Sequence, residues 1–336
     1  MKESMIISRS PFRISLFGGG TDYPSWLKHN DGSVISMAIN KYCYISIRSL
    51  PPYFDYKYRI RYYKQEEVKT IKNIKHPTIR ETLKYFKYKG LGLEINHNAD
   101  IPALSGLGSS STFTVGLING LNELLKIKSS KFKSASDAIF IEQKKVGDYV
   151  GLQDQVIASY GGLNHIKFFK NNKFEVEPIK IKKNNLNKIN KNFFLVFTGL
   201  QRLANSITKN QVSKTLLGKN DKLLYKMNDL TSQVKKKIFS GNDIDLKNLG
   251  DALDYQWDLK KKLEHKISNY KIDSFYNFGK NNGAIGGKLL GAGGGGFFLF
   301  VVPDKNLAKF RKAVKKYIYV PFSIDFLGSQ IIYNSK

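Results

Sequence analysis

Apolar positions follow two periods along this chain. Ile6, Ile7, Ile14, Leu16 and Phe17 flank Ser10–Pro11, a pattern that reads as strand, short turn and then the glycine-rich loop Gly18–Gly20. Residues 34–48 alternate and predict one or two strands; residues 58–64 and 91–96 predict two more, with a turn at Pro51–Pro52. Residues 77–88 read as a helix with Pro77 near its start. Phe113, Leu117, Leu121, Leu124 and Leu125 recur at steps of three and four, the signature of a helix opening after Ser109–Ser111. Helices are expected at 130–149 and at 154–160, the latter closed by Gly161–Gly162, with strands at 163–169 and 174–181. The Asn/Lys-rich stretch 182–192 is the best boundary, dividing an N-terminal domain 1–185 from a C-terminal domain 190–336. Beyond it the pattern predicts a strand at 193–197, helices from 204 to 262 and at 272–282, a strand at 297–302, a helix at 304–317 and a last strand at 319–327. Strands mixed with helices in both halves argue for a two-domain α+β protein.

At 336 residues, 41% hydrophobic and 13% aromatic, the chain can bury two cores. Cys43 is the only cysteine, which excludes internal disulfides and cysteine-rich zinc sites, and the histidines show no metal-ligand spacing. The longest apolar run is strand-sized, so no membrane span is expected, and Arg9 and Arg13 interrupt any signal-peptide core. These features fit a reducing cytoplasm. The net charge of +28 would ordinarily suggest nucleic acid. Arginine, however, occurs only eight times, and the lysines are spread along the whole chain. A solvated basic surface that attracts small anions is the expectation, without nucleic-acid binding.

Three stretches carry candidate chemistry. In residues 102–111, Gly106 and Gly108 flank Leu107, and three hydroxyls follow at the start of a helix. Glycines allow close backbone approach, and the first N–H groups of a helix lack internal partners, which together make a phosphate site. An N-capping serine on a plain loop is the alternative. The run Gly291–Gly296 contains G-x-G-x-x-G but precedes a strand, so it reads as a glycine hairpin rather than a dinucleotide loop; there is no G-x-x-x-x-G-K-[ST]. On the helix after residue 130, Glu142 interrupts the apolar stripe of Ala135, Ala138, Ile139 and Val146. A carboxylate there needs a cation or donors, unless it lies at the edge of the stripe. Asp154 opens the next helix, either as an N-cap or as an acid presented to a pocket.

In this order, Ser10–Tyr23, Pro102–Ser111 with its P-x-x-x-G-L-G-S-S-S pattern, and Lys288–Gly296 resemble the motifs of the GHMP kinases, the family of galactokinase, homoserine kinase and mevalonate kinase, over essentially the whole chain. The resemblance implies an N-terminal mixed β/α domain with a left-handed crossover and a C-terminal ferredoxin-like sandwich. It also implies ATP and Mg²⁺ as cofactors. ATP phosphates would be held by Pro102, Gly106, Leu107, Gly108, Ser109, Ser110 and Ser111, and Mg²⁺ by Ser110 and Glu142. Asp154 would take the proton of the attacking hydroxyl, with Arg13 beside it offsetting charge on the transferring phosphoryl group. Gly19, Gly20, Thr21 and Asp22 would meet the substrate, and Gly293 and Gly294 would shape the site from the C-terminal domain.

Where galactokinases carry Glu-His-Thr-Asp-Tyr, this chain has Gly19-Gly20-Thr21-Asp22-Tyr23. That form, with the later Phe197-Thr198-Gly199-Leu200-Gln201-Arg202 run, resembles the kinases of D-glycero-D-manno-heptose 7-phosphate in lipopolysaccharide or capsule precursor synthesis. It implies a small sugar or sugar phosphate as substrate, phosphorylated on the anomeric hydroxyl, with Arg202 or nearby lysines at a distal phosphate, in a monomer or homodimer. Alternatives are a galactose- or fucose-like substrate, a catalytically dead relative, or a basic nucleic-acid-binding relative of the fold.

Overall fold

The computed structural model describes residues 4–200, 205–241 and 243–335. Its first strand, β1 (Met5–Phe17), runs straight through Ser10–Pro11. The turn expected there is instead a bulge, where pairing with β2 (Gly32–Leu50) shifts register between Pro11 and Phe12. Proline has no N–H to give to a ladder, and a bulge is one of the few places where a strand interior tolerates it. One turn of helix, α1 (Pro24–Leu27), lies between the two strands.

β2 is a single strand of 19 residues and the spine of the first sheet. The sequence predicts one strand over 58–64; the structure has a hairpin, β3 (Tyr58–Arg61) and β4 (Gln65–Val68). Helix α2 (Pro77–Tyr85) leads to β5 (Gly92–Ala99), which pairs with β2 antiparallel and with β3 parallel. Next come α3 (Ser109–Leu124) and α4 (Lys131–Phe140), which continues as a π-helical turn at Ile141–Val146. Helix α5 (Gln153–Tyr160) and strands β6 (Leu163–Phe168) and β7 (Phe174–Pro178) complete this half. β6 pairs with the N-terminal part of β2, so one long strand joins two stretches of sheet.

Residues 182–192, read as a boundary, contain helix α6 (Lys183–Asn192), seated by buried Ile189. The second half follows: β8 (Phe193–Phe197), α7 (Asn205–Leu216), α8 (Asp221–Val234) with a π turn at Lys235–Phe239, α9 (Leu246–Leu263), α10 (Tyr270–Asn281), β9 (Gly286–Leu289), β10 (Phe297–Val301), α11 (Leu307–Val314) and β11 (Tyr319–Val320). The second sheet has the order β11–β8–β10–β9 and is antiparallel throughout.

The last strand differs from expectation. Within 319–327 only Tyr319–Val320 forms a strand, Ile324 makes a single antiparallel bridge to Ile39, and a further strand, β12 (Gln330–Asn334), returns to the first sheet beside β1. β10 is buried on both faces. Phe298 and Phe300 meet Trp257 of α9, Phe275 of α10 and Phe310 of α11, whereas Phe297, Leu299 and Val301 join a core that also holds Ile14, Ile45 and Leu117 of the first half. Burial on both faces is why this strand reads as an unbroken apolar run. It also presses the second half against the loops at the end of β1 and the start of α3.

Candidate active site

The loop before α3 takes its shape from two glycines. Gly106 and Gly108 have φ of +81° and +79°, a backbone region costly for other residues. Gly108 is the N-cap of α3 and supplies no side-chain cap, so the first amides of the helix stay open. Ser109 is therefore the first helical residue and not a cap. The loop is laced to β1: Arg13 N donates to Leu107 O (3.1 Å), and Arg13 Nη1 donates to Gly106 O (2.7 Å).

The same guanidinium grips Asp154. Nε donates to Oδ1 and Nη2 to Oδ2, each at 2.7 Å. Such a fork-to-fork pair is among the stronger and more directional contacts available to a carboxylate. Asp154 lies in the first turn of α5, whose N-cap is Leu152, so its side chain is not spent on capping. An ideal Cβ built on Gly108 would stand 3.0 Å from Asp154 Oδ2 and 3.2 Å from Arg13 Cγ, so the start of the helix, Asp154 and Arg13 lie close together.

Glu142 lies on the π turn, a local widening of a helix that often marks a site. It is fully buried and accepts from Ser111 Oγ (2.8 Å), Thr114 Oγ1 (2.6 Å) and Gln155 Nε2. Burial pushes its carboxyl up to about 7, against the opposing pull of the Thr114, Ser111 and Gln155 donors. Its serine partner is Ser111, and Ser110 and Ser111 both line the cavity. The donors are oxygen-rich and include a buried carboxylate with no cation beside it among the described residues, a set that suits a hard divalent ion. Among the described residues no group of three or more His, Cys, Asp or Glu side chains is placed to hold a metal ion, so such an ion would draw most of its ligands from phosphate and water.

The Arg13–Asp154 pair and the loop and first turn of α3 open on a cavity of about 380 Å³ between the two halves; Glu142, fully buried behind Ser111, is not among its lining residues. Arg13, Asp154, Gly106, Gly108 and Ser109–Ser111 form one wall. Gly19, Gly20 and Asp22, from the loop after β1, form another. Asp22 is fully buried and held by Gly20 N (3.0 Å), Gln153 N (3.2 Å) and Gln153 Nε2 (3.2 Å); burial raises its pKa. The C-terminal half contributes Lys260, Lys288 and Gly291. Gly291 approaches Gly106 so closely that a Cβ on it would stand 2.4 Å from Gly106 Cα.

Several expected residues lie elsewhere. Pro102 is exposed outside the lining, and Leu107 is a core residue. Thr21 is buried and binds the turn itself, its Oγ1 donating toward Gly18 O and Ser33 O. Gly293 and Gly294 pack behind the cavity wall, where Gly294 N donates to Ile267 O (2.9 Å). Arg202 is outside the described residues. The sequence reading missed Lys260, Gln153 and Gln211 as cavity residues, and named Lys288 only as the edge of a motif.

The family model for the N-terminal domain of GHMP kinases matches residues 73–162, and that for the C-terminal domain matches residues 235–320. The D-glycero-alpha-D-manno-heptose 7-phosphate kinase of Campylobacter jejuni is 29% identical over 93% of each chain. The galactokinase of Pyrococcus furiosus is 26% identical over 91% of each. Among solved structures, a D-glycero-D-manno-heptose 1-phosphate kinase from Bacteriodes thetaiotaomicron superposes with a TM-score of 0.78 at 22% identity, covering 98% of this chain and 99% of that one, a likeness of fold. No helix among the described residues is long and apolar enough to cross a membrane. With both domain models matched in order around one cavity, the chain belongs to the GHMP kinase family and is a sugar kinase, a phosphotransferase with an alcohol group as acceptor.

Proposed function

We propose that this kinase transfers the γ-phosphoryl group of Mg–ATP to the anomeric hydroxyl of D-glycero-D-manno-heptose 7-phosphate, in the cytoplasm, as a step toward lipopolysaccharide or capsule precursors. The observation that carries the chemistry is the Arg13–Asp154 pair, set at the open amides of α3 in the cavity that also presents Asp22. The open amides of α3 and the backbone of Gly106 and Gly108 receive the phosphates. Asp154 accepts the proton of the attacking hydroxyl, and Arg13 holds it in place while offsetting charge on the phosphoryl group in flight. Ser110 and Glu142 would hold Mg²⁺, which when bound neutralises phosphate charge. Labour divides between residues 1–185, which bring the phosphate loop and base, and 190–336, which close the cavity.

Two features support the heptose. Gly19 and Gly20 leave that wall without side chains, and Asp22, fixed by three donors, keeps lone pairs for sugar hydroxyls. The Campylobacter relative carries the same substrate in its name. The test is ADP release with heptose 7-phosphate, galactose and fucose as acceptors. Heptose 7-phosphate is expected to lead in kcat/KM by about 100-fold or more. A preference for either unphosphorylated hexose rejects the heptose, and silence with every sugar phosphate and sugar rejects these roles.

A further inference from the structure

Two lysines of the cavity take no part in the chemistry above. Lys260 on α9 and Lys288 on β9 are 9% and 2% exposed, and both line the cavity. Lys288 Nζ donates to Ser15 O (3.0 Å) and Leu16 O (2.8 Å). Lys260 Nζ donates to Leu289 O (3.1 Å) and Gly291 O. When protonated, each has three N–H donors and so retains one for a further acceptor.

Neither lysine has a carboxylate partner among the described residues. Asp22, Asp148 and Asp154 line the same cavity, but Asp154 is paired with Arg13 and none of the three pairs with a lysine. The charges that act on the two lysines are of like sign: Arg13 on both, and Lys260 on Lys288. Burial, reinforced by these neighbours, brings Lys260 down to about 7 and Lys288 well below the usual lysine range. Burying uncompensated cations side by side is costly. An anion entering the cavity removes that cost, and four backbone carbonyls already aim the ammonium groups.

We propose that Lys260 and Lys288 form an anion subsite on the C-terminal wall of the cavity that takes a phosphate monoester group, brought either by the acceptor sugar or by the γ-phosphoryl in transfer. The proposal rests on the kinase reading and deepens it. A pair of ammonium groups supplies point charge without a fixed fork, which suits a phosphate that must enter and leave.

The direct test needs no turnover. The full chain, saturated with Mg–ADP, is titrated calorimetrically with inorganic phosphate, as wild type, Lys260→Met and Lys260→Arg. Wild type is expected to bind, Lys260→Met to bind about tenfold or more weakly, and Lys260→Arg to recover most of the loss, as for hydrogen bonds to a charged group. No binding by wild type, or equal binding by Lys260→Met, overturns the proposal, whatever the acceptor panel gives. Kinetics then separate the two sources. If the acceptor brings the phosphate, the ratio of kcat/KM for heptose 7-phosphate over unphosphorylated heptose falls about tenfold or more in Lys260→Met and Lys288→Met. If the γ-phosphoryl is the ligand, kcat falls by that factor for both acceptors and the ratio holds. Kinetics and ratio equal to wild type in both variants reject the subsite.

Discussion

Asp154 cannot turn without breaking two charge-assisted hydrogen bonds to Arg13, and that constraint defines the residue scale of this site. Replacing it with asparagine removes the proposed proton acceptor and leaves the guanidinium short of its anion. We expect Asp154→Asn to lower kcat by about 10³-fold while Mg–ATP affinity, read by titration, stays within about threefold. Unchanged turnover would mean that the base is another group. Gly106 offers a second test. A Cβ there would stand 2.7 Å from Leu290 O at a φ of +81°, so Gly106→Ala must push apart the loops of the two halves. The expected result is a loss of about 1–3 kcal/mol in stability and a raised KM for ATP, measured by urea unfolding and steady-state kinetics. Glu142 was legible in the sequence as a carboxylate on an apolar stripe, and Lys260 gives the same signal. It shares the buried face of α9 with Leu249, Leu253, Trp257 and Leu263. The adjoining Lys261 and Lys262 make it look like one member of a solvated run.

Elements meet through charge as well as through the core. Glu177 on β7 takes Lys167 and His165 of β6 and Lys235, which continues α8, so one carboxylate ties the second half to the first sheet. The Lys167 and Lys235 hydrogen bonds hold its pKa down at about 2. Its folded pKa thus lies below the unfolded value near 4.5, and the unfolded chain binds more protons between the two. The stabilisation is present above about pH 4.5 and lost as pH falls through about 2. Glu177→Gln should therefore cost about 1–2 kcal/mol at neutral pH, after allowance for partial solvent screening, and flatten the acid limb of stability against pH. A wild-type slope in the variant would show the cluster to be idle. The long helices and the Phe297–Val301 strand were readable because their apolar periods span several turns or a whole strand. The bulge at Pro11, the helix at Lys183–Asn192 and the strand Gln330–Asn334 were not, because each depends on a partner far along the chain.

At the scale of the molecule, the net charge of +28 belongs to a kinase whose proposed substrates are anions. Steering by such a surface is screened by salt. We expect kcat/KM for ATP to fall several-fold between about 0.05 M and about 0.5 M KCl, with kcat changing less. A flat profile would show that the lysine excess does not act on the substrate. The sequence by itself determined the glycine turn at α3, the buried acid, the glycine hairpin and the two-part α+β plan, since each is written in residues adjacent along the chain or one turn apart. Tertiary structure alone decided which side chains share the cavity. Neighbouring residues on a helix point about 100° apart, so of the three serines that line the cavity it is Ser111 whose hydroxyl reaches Glu142, and no local pattern encodes that choice. Arg13 meets Asp154 across 141 positions, and Lys288 meets Ser15 across 273. Such pairings arise only when sheets and helices close on a common core.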